Sequence, residues 1–113
     1  MENKREVFSY IAGIIDGEGC ITMRTDNPSE CVIIRMNESD ALNIIHDNFG
    51  GSLTKAFNKK YNSWTYQYLV ANKKANNLLK EIYPFLVIKR DHADRCFELR
   101  ETIEKYKKGE IDF

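Results

Sequence analysis

Two glycines sit inside an isoleucine-rich stretch that otherwise reads as helix. From about Glu2 to Asp16, the residues Val7, Ile11, Ile14 and Ile15 recur at helical spacing. Ala12, Gly13, Asp16 and Gly17 set small residues at i, i+4 pairs on neighbouring stripes of that helix. A glycine in a helix costs about 1 kcal/mol relative to alanine. Keeping one there implies that another backbone comes very close. Gly-xxx-Gly spacing lets paired helices touch in membranes, yet no apolar run in this chain approaches the ~20 residues needed to cross one. Gly17 and Gly19 are expected to stop the helix, as glycine just past a last turn often does.

The remaining chain alternates between strand and helix signals. Cys20 to Thr25 has period two, with Ile21 and Met23 on one face and Cys20, Thr22 and Arg24 on the other. Asp26–Ser29 is turn chemistry. A second strand from Cys31 to Met36 would turn Val32, Ile34 and Met36 inward and leave Cys31, Ile33 and Arg35 outward. Ser39 is a candidate N-cap for a helix to about Phe49, with Leu42, Ile45 and Phe49 on its apolar side. Gly50-Gly51 ends that helix. Strands at about Ser52–Phe57 and Ser63–Ala71 follow, joined by the polar turn Asn58–Asn62. Trp64, Tyr66 and Tyr68, at period two, read as core under a helix rather than as a base-stacking platform. Helix returns at about Lys74–Ile82, breaks before Pro84, and resumes from about Lys89 to Lys107. Four strands and packed helices make an α+β domain with a single curved sheet. At 113 residues and 42% apolar, residues 1–113 suit one domain and are too few for two.

Charge is neutral on average but unevenly placed. Between Asn48 and Lys80 there are six lysines (55, 59, 60, 73, 74 and 80) and no Asp or Glu. A zero net charge therefore leaves room for a basic surface. Cys20, Cys31 and Cys96 are widely spaced and odd in number, so reduced thiols are expected. His46 and His92 share no metal-ligand spacing. The polar, mixed-charge start does not read as a secretory signal, and an intracellular protein with no membrane association is expected.

Two carboxylates, Asp16 and Glu18, stand at the C-terminal end of the glycine helix, the unfavourable end of its dipole for negative charge. An acid there either bonds locally or meets a cation. Asp16 reads as a structural hydrogen-bonding group. Glu18 reads as a ligand for a hard divalent ion such as Mg²⁺, which takes one or two carboxylates together with phosphate oxygens.

The nine residues Ile11–Gly19 resemble the LAGLIDADG motif of homing endonucleases. Ala12, Gly13, Ile15, Asp16 and Gly19 are identical to it, and Glu18 replaces the motif's final Asp. Phe49-Gly-Gly51 before a strand, and Tyr83-Pro-Phe-Leu86 followed by Ile88-Lys89, resemble later landmarks of the family in the expected order. The resemblance implies an αββαββα fold with one curved antiparallel four-stranded sheet and helices on one face. It also implies a homodimer of single-motif chains paired through Ala12, Gly13, Asp16 and Gly17. Mg²⁺ or Mn²⁺ would be held by Glu18 and the carbonyl of Gly17, with Lys89 beside the scissile phosphate and Glu38 in a water-ordering position. The implied activity is metal-dependent cleavage of double-stranded DNA.

In such a protein the sheet lies in the major groove, which admits a β-ribbon. The face opposite the apolar one would then read bases through Thr22, Arg24, Asp26, Arg35, Thr65 and Gln67, with Thr54 or Lys55 on the third strand. Lys59, Lys60, Lys73 and Lys74 are expected to contact phosphates, which positions without specifying. Two other readings stay open. One is a non-cleaving relative acting as an RNA-splicing maturase or DNA-binding regulator; the other is a small dimeric scaffold.

Overall fold

The computed structural model describes residues 3–24 and 27–109. Its elements are α1 (Lys4–Glu18), β1 (Gly19–Arg24), β2 (Ser29–Met36), α2 (Asp40–Phe49), β3 (Ser52–Asn58), β4 (Ser63–Ala71), α3 (Asn72–Ile82), a 3₁₀ turn (Tyr83–Phe85) and α4 (Arg90–Lys107). This is the expected α+β order. The sheet is antiparallel throughout, in the order β1-β2-β4-β3.

Register sorts the side chains into two faces. Ile21, Val32, Ile34, Tyr68 and Val70 all point to the helix side and are buried. There they join Ile11 and Ile15 of α1, Leu42 and Ile45 of α2, Leu78, Leu79 and Ile82 of α3, and Ala93 and Cys96 of α4 in one core. The helices pack on this face; on β2, Ser29 and Cys31 are buried as well although they have the opposite parity, so Cys31 is not the exposed outward residue expected of it. Pairing runs residue for residue along every ladder, with no bulge. Gly50-Gly51 therefore acts before β3 rather than within it. Gly51 has φ +103°, and a Cβ there would lie 2.8 Å from the Leu69 carbonyl oxygen and 3.0 Å from the Tyr68 ring. The Tyr68 hydroxyl donates to the Gly50 carbonyl at 2.7 Å. Only glycine fits this turn.

Several expectations need correction. Gly17 does not stop α1. The helix runs to Glu18 and is capped by Gly19, whose N–H bonds the Ile15 carbonyl, so Glu18 belongs to the last helical turn. Ser39 occupies the N-cap of α2 but makes no side-chain cap bond. Of the three aromatic residues on β4, Tyr68 is core and Tyr66 is half-buried, but Trp64 is 44% exposed because no helix reaches that far along the strand. Asp26 lies outside the described residues.

An inward carboxylate, Glu30, is fully buried on β2. Arg100 of α4 grips it with two nitrogens, Nε at 3.0 Å and Nη2 on the other oxygen, and the Asn76 amide donates at 3.2 Å. The bond to Glu30 is also the main reason the Arg100 guanidinium is held more firmly charged than usual, against the opposing effect of burial. A strand beginning one turn of the pleat earlier would have shown Glu30 sharing the inward parity of Val32 and Ile34.

Candidate active site and nucleic-acid interface

The C-terminal end of α1 has no basic residue of its own in its last turn. A lysine from the far end of the chain supplies the cation. The Lys89 ammonium donates to the Ile15 carbonyl at 2.8 Å and the Asp16 carbonyl at 2.7 Å, where the helix dipole is negative. The reverse contact is equally direct. One Asp16 oxygen accepts the Val87 N–H at 2.8 Å, and the other accepts those of Ile88 at 3.2 Å and Lys89 at 3.0 Å. Three successive backbone amides converging on a carboxylate form an anion nest, here just ahead of α4. Each segment thus caps the other. Arg90 pins the same loop by donating to the Leu86 carbonyl at 2.6 Å and the Pro84 carbonyl at 3.3 Å.

The clamp engages one of the two carboxylates and leaves the other out. Asp16 is spent on backbone amides, the structural role expected of it. Glu18 is exposed, and among the described residues its side chain has no hydrogen-bond or ion-pair partner. Lys89 uses two of its three ammonium donors, leaving one to point elsewhere. Glu38 is exposed in the β2–α2 connection. Among the described residues no group of three or more His, Cys, Asp or Glu could hold a metal ion. The Ile15 and Asp16 carbonyls are taken by Lys89; the Glu18 carboxylate and the Gly17 carbonyl are hard oxygens of the kind that suits Mg²⁺ or Mn²⁺, and they make up a partial set.

The two glycines also have no use inside the chain. A Cβ built on Gly13 or Gly17 meets nothing within 4 Å, and both positions are exposed. Ala12, expected beside them on a docking face, is instead fully buried in the chain's own core. Asp16 is half-buried, with its carboxylate committed to the clamp. The open stripe of α1 is therefore narrower than expected and centres on Gly13 and Gly17.

The sheet face turned away from the helices carries Thr22 and Arg24 on β1, Arg35 on β2, Thr65 and Gln67 on β4, and Thr54 on β3. Arg35, Gln67 and Thr54 are paired in register across three strands and form one polar row. Gly19 pairs with Ile34, so Glu18 precedes β1 at the end of that strand nearest Arg35. Lys55 belongs to the other face: it is level with Tyr66, and its ammonium lies 4.9 Å from the centre of the Trp64 ring. Of the two third-strand residues, Thr54 therefore lies on the outward face and Lys55 on the helix side. Lys59 and Lys60 are exposed in the β3–β4 turn, and Lys73 and Lys74 are exposed at the start of α3, with Lys73 3.9 Å from Glu104.

Solved structures share this fold. The chain matches the homing endonuclease I-CvuI in complex with its target with TM-score 0.76 and 18% identity, over 92% of this chain and 71% of that one. The archaeal intron-encoded homing endonuclease I-Vdi141I complexed with DNA matches with TM-score 0.57 and 19% identity, over 91% and 85%. The LAGLIDADG homing endonuclease I-LtrWI bound to target DNA matches with TM-score 0.52 and 20% identity, over 95% of this chain and 39% of that one. This is the LAGLIDADG homing-endonuclease fold. No family model and no curated protein matches the sequence. Within the LAGLIDADG fold, the residues resembling the motif are those of α1 that end in the Asp16–Lys89 clamp.

Proposed function

We propose that this protein is a LAGLIDADG endonuclease that cuts double-stranded DNA at a specific site, acting as a homodimer with divalent metal ions. One observation carries the reading: a single clamp holds the Glu18 end of α1 and Lys89 together beside an exposed, polar, cation-bearing sheet face. The geometric neighbours that are complexes with DNA support it.

In this reading α1 of one copy packs on α1 of another through Gly13 and Gly17, where only the missing side chains permit close approach. A twofold axis then brings the second Glu18 beside the first. Glu18, with the Gly17 carbonyl, would hold Mg²⁺ or Mn²⁺ against the phosphates; bound there, the ion supplies an activated water and stabilises charge on the phosphoryl group. The free donor of Lys89 faces the phosphate and stabilises its developing negative charge. Glu38 orders water at the margin of the site. Arg24 and Arg35 read guanine edges and Gln67 reads adenine, with Thr22, Thr54 and Thr65 completing the groove-facing set. Lys59 and Lys60 contact phosphates.

The test is Mg²⁺-dependent cleavage of a randomised duplex library, followed by the Glu18→Gln protein on the selected site. The variant should lose more than about a hundredfold in rate while keeping its duplex affinity. The native protein should run at twice the mass of a 13.2 kDa chain, and Gly13→Leu should run as a folded monomer. A Glu18→Gln enzyme that cuts at the native rate would remove the mechanism.

A further inference from the structure

The helix-side face of the β3–β4 hairpin is left with no function by the groove-binding face. Its rungs, from the helices outward, are Leu53–Tyr68, Lys55–Tyr66 and Phe57–Trp64. The first packs under α2. A cleft lined by Asn43, Leu53, Lys55 and Tyr66 marks where α2 leaves the sheet. Beyond it Phe57 is 45% exposed, Trp64 44% and Tyr61, in the turn, 68%. The Phe57 and Trp64 rings lie 5.2 Å apart between centres. Lys55 stands 4.9 Å above the Trp64 ring and Lys60 5.4 Å above Tyr61. The lysines belong to the stretch from Asn48 to Lys80 that has no acidic residue.

Exposed flat rings interleaved with ammonium groups are the chemistry of a single-strand site, in which unpaired bases stack on the rings and the cations meet the phosphates. A duplex keeps its base faces hidden and offers this surface nothing to stack on. The two faces of the hairpin therefore differ in kind: one carries guanidinium, amide and hydroxyl groups that address base edges, the other aromatic faces that address base planes. We infer that the back of the β3–β4 hairpin, through Phe57, Tyr61 and Trp64 with Lys55 and Lys60, binds single-stranded nucleic acid. On binding, Lys55 would move from the Trp64 ring to the strand's phosphate, and a base would take its place.

Trp64 is the only tryptophan, so its fluorescence reports on this surface directly. The native chain is titrated with a single strand of about twelve nucleotides, as DNA and as RNA of one sequence, and separately with blunt duplex. The expected result is saturable quenching by single strands, weakening as salt rises, with the tighter of the two titrations naming the sugar. Tyr61→Ala and Phe57→Ala should each weaken single-strand binding about fivefold or more, read by polarisation of a labelled strand, and leave duplex affinity unchanged. Tyr61 is a turn residue open to solvent, so its loss does not threaten folding. Quenching by blunt duplex alone, or by no nucleic acid at all, overturns the inference. So does an emission change that follows protein concentration and disappears with the variants, which would make the patch a contact between copies. The duplex-cleavage assay is read separately, and failure in one leaves the other standing.

Discussion

The α1–β1 junction and the β3–β4 hairpin handle polar and apolar groups in opposite ways. At the junction the exposed ends of two helices are satisfied by charged side chains, each bonding the other's backbone. At the hairpin every residue of β3 is exposed and aromatic rings stand in solvent. Three amides and two carbonyls fix the first region. The second is held by its ladder hydrogen bonds and one rung of packing under α2. Under the function proposed here the junction would hold a reacting group, which has to be kept in place to within a fraction of an ångström, whereas the strand-binding surface inferred at the hairpin would gain from side chains that can move.

Breaking the buried polar ties should cost most. Arg100→Met leaves the buried Glu30 carboxyl with the Asn76 amide as its remaining partner, and a loss of about 3–5 kcal/mol is expected in urea unfolding. A loss below about 1 kcal/mol would mean that Glu30 finds water or another partner. Alkaline pH attacks the same layer. Burial pushes the Cys96 thiol up to about 11, with lesser contributions from Glu30 and Cys31. The folded state thus retains a proton that the unfolded chain gives up sooner. Stability from this group is complete below the ordinary value of 9.0 and falls as pH rises toward about 11. Melting temperatures across that window should decline, and less steeply in Cys96→Ala. Asp16→Ala comes next: it frees three amides at the start of α4 and should cost about 1–3 kcal/mol, with faster exchange of the Val87–Lys89 amides. The hairpin should be the least sensitive. Phe57→Ala removes a ring that is half in water already, so a change of about 1 kcal/mol or less is expected in the same unfolding measurement. If Phe57→Ala cost as much as Asp16→Ala, the contrast between the two regions would be lost.

Much of this was legible in the chain itself. Strand and helix periods are local, so the element order, the inward set Ile21, Val32 and Ile34, and the outward set Thr22, Arg24 and Arg35 follow from neighbours in sequence. The glycine helix and its terminal acids were visible for the same reason, and so was the structural character of Asp16. Its partners were not. The amides it binds are 71 to 73 residues away, and no local pattern encodes which loop will meet a helix end.

Three assignments waited on tertiary structure. Whether Thr54 or Lys55 faces outward depends on the register of β3 against β4, which begins where the Gly50-Gly51 turn sets it down. Whether Trp64 is core depends on how far α2 extends over the sheet. Ala12 and Gly13 are adjacent in sequence, yet one is sealed in the core and the other is open. The sequence by itself determined the periods, and hence the elements and the faces of the first two strands. Only the fold decided which faces are covered and which distant groups meet, because burial and long-range hydrogen bonding depend on the packing of whole elements, and a local repeat carries no record of that.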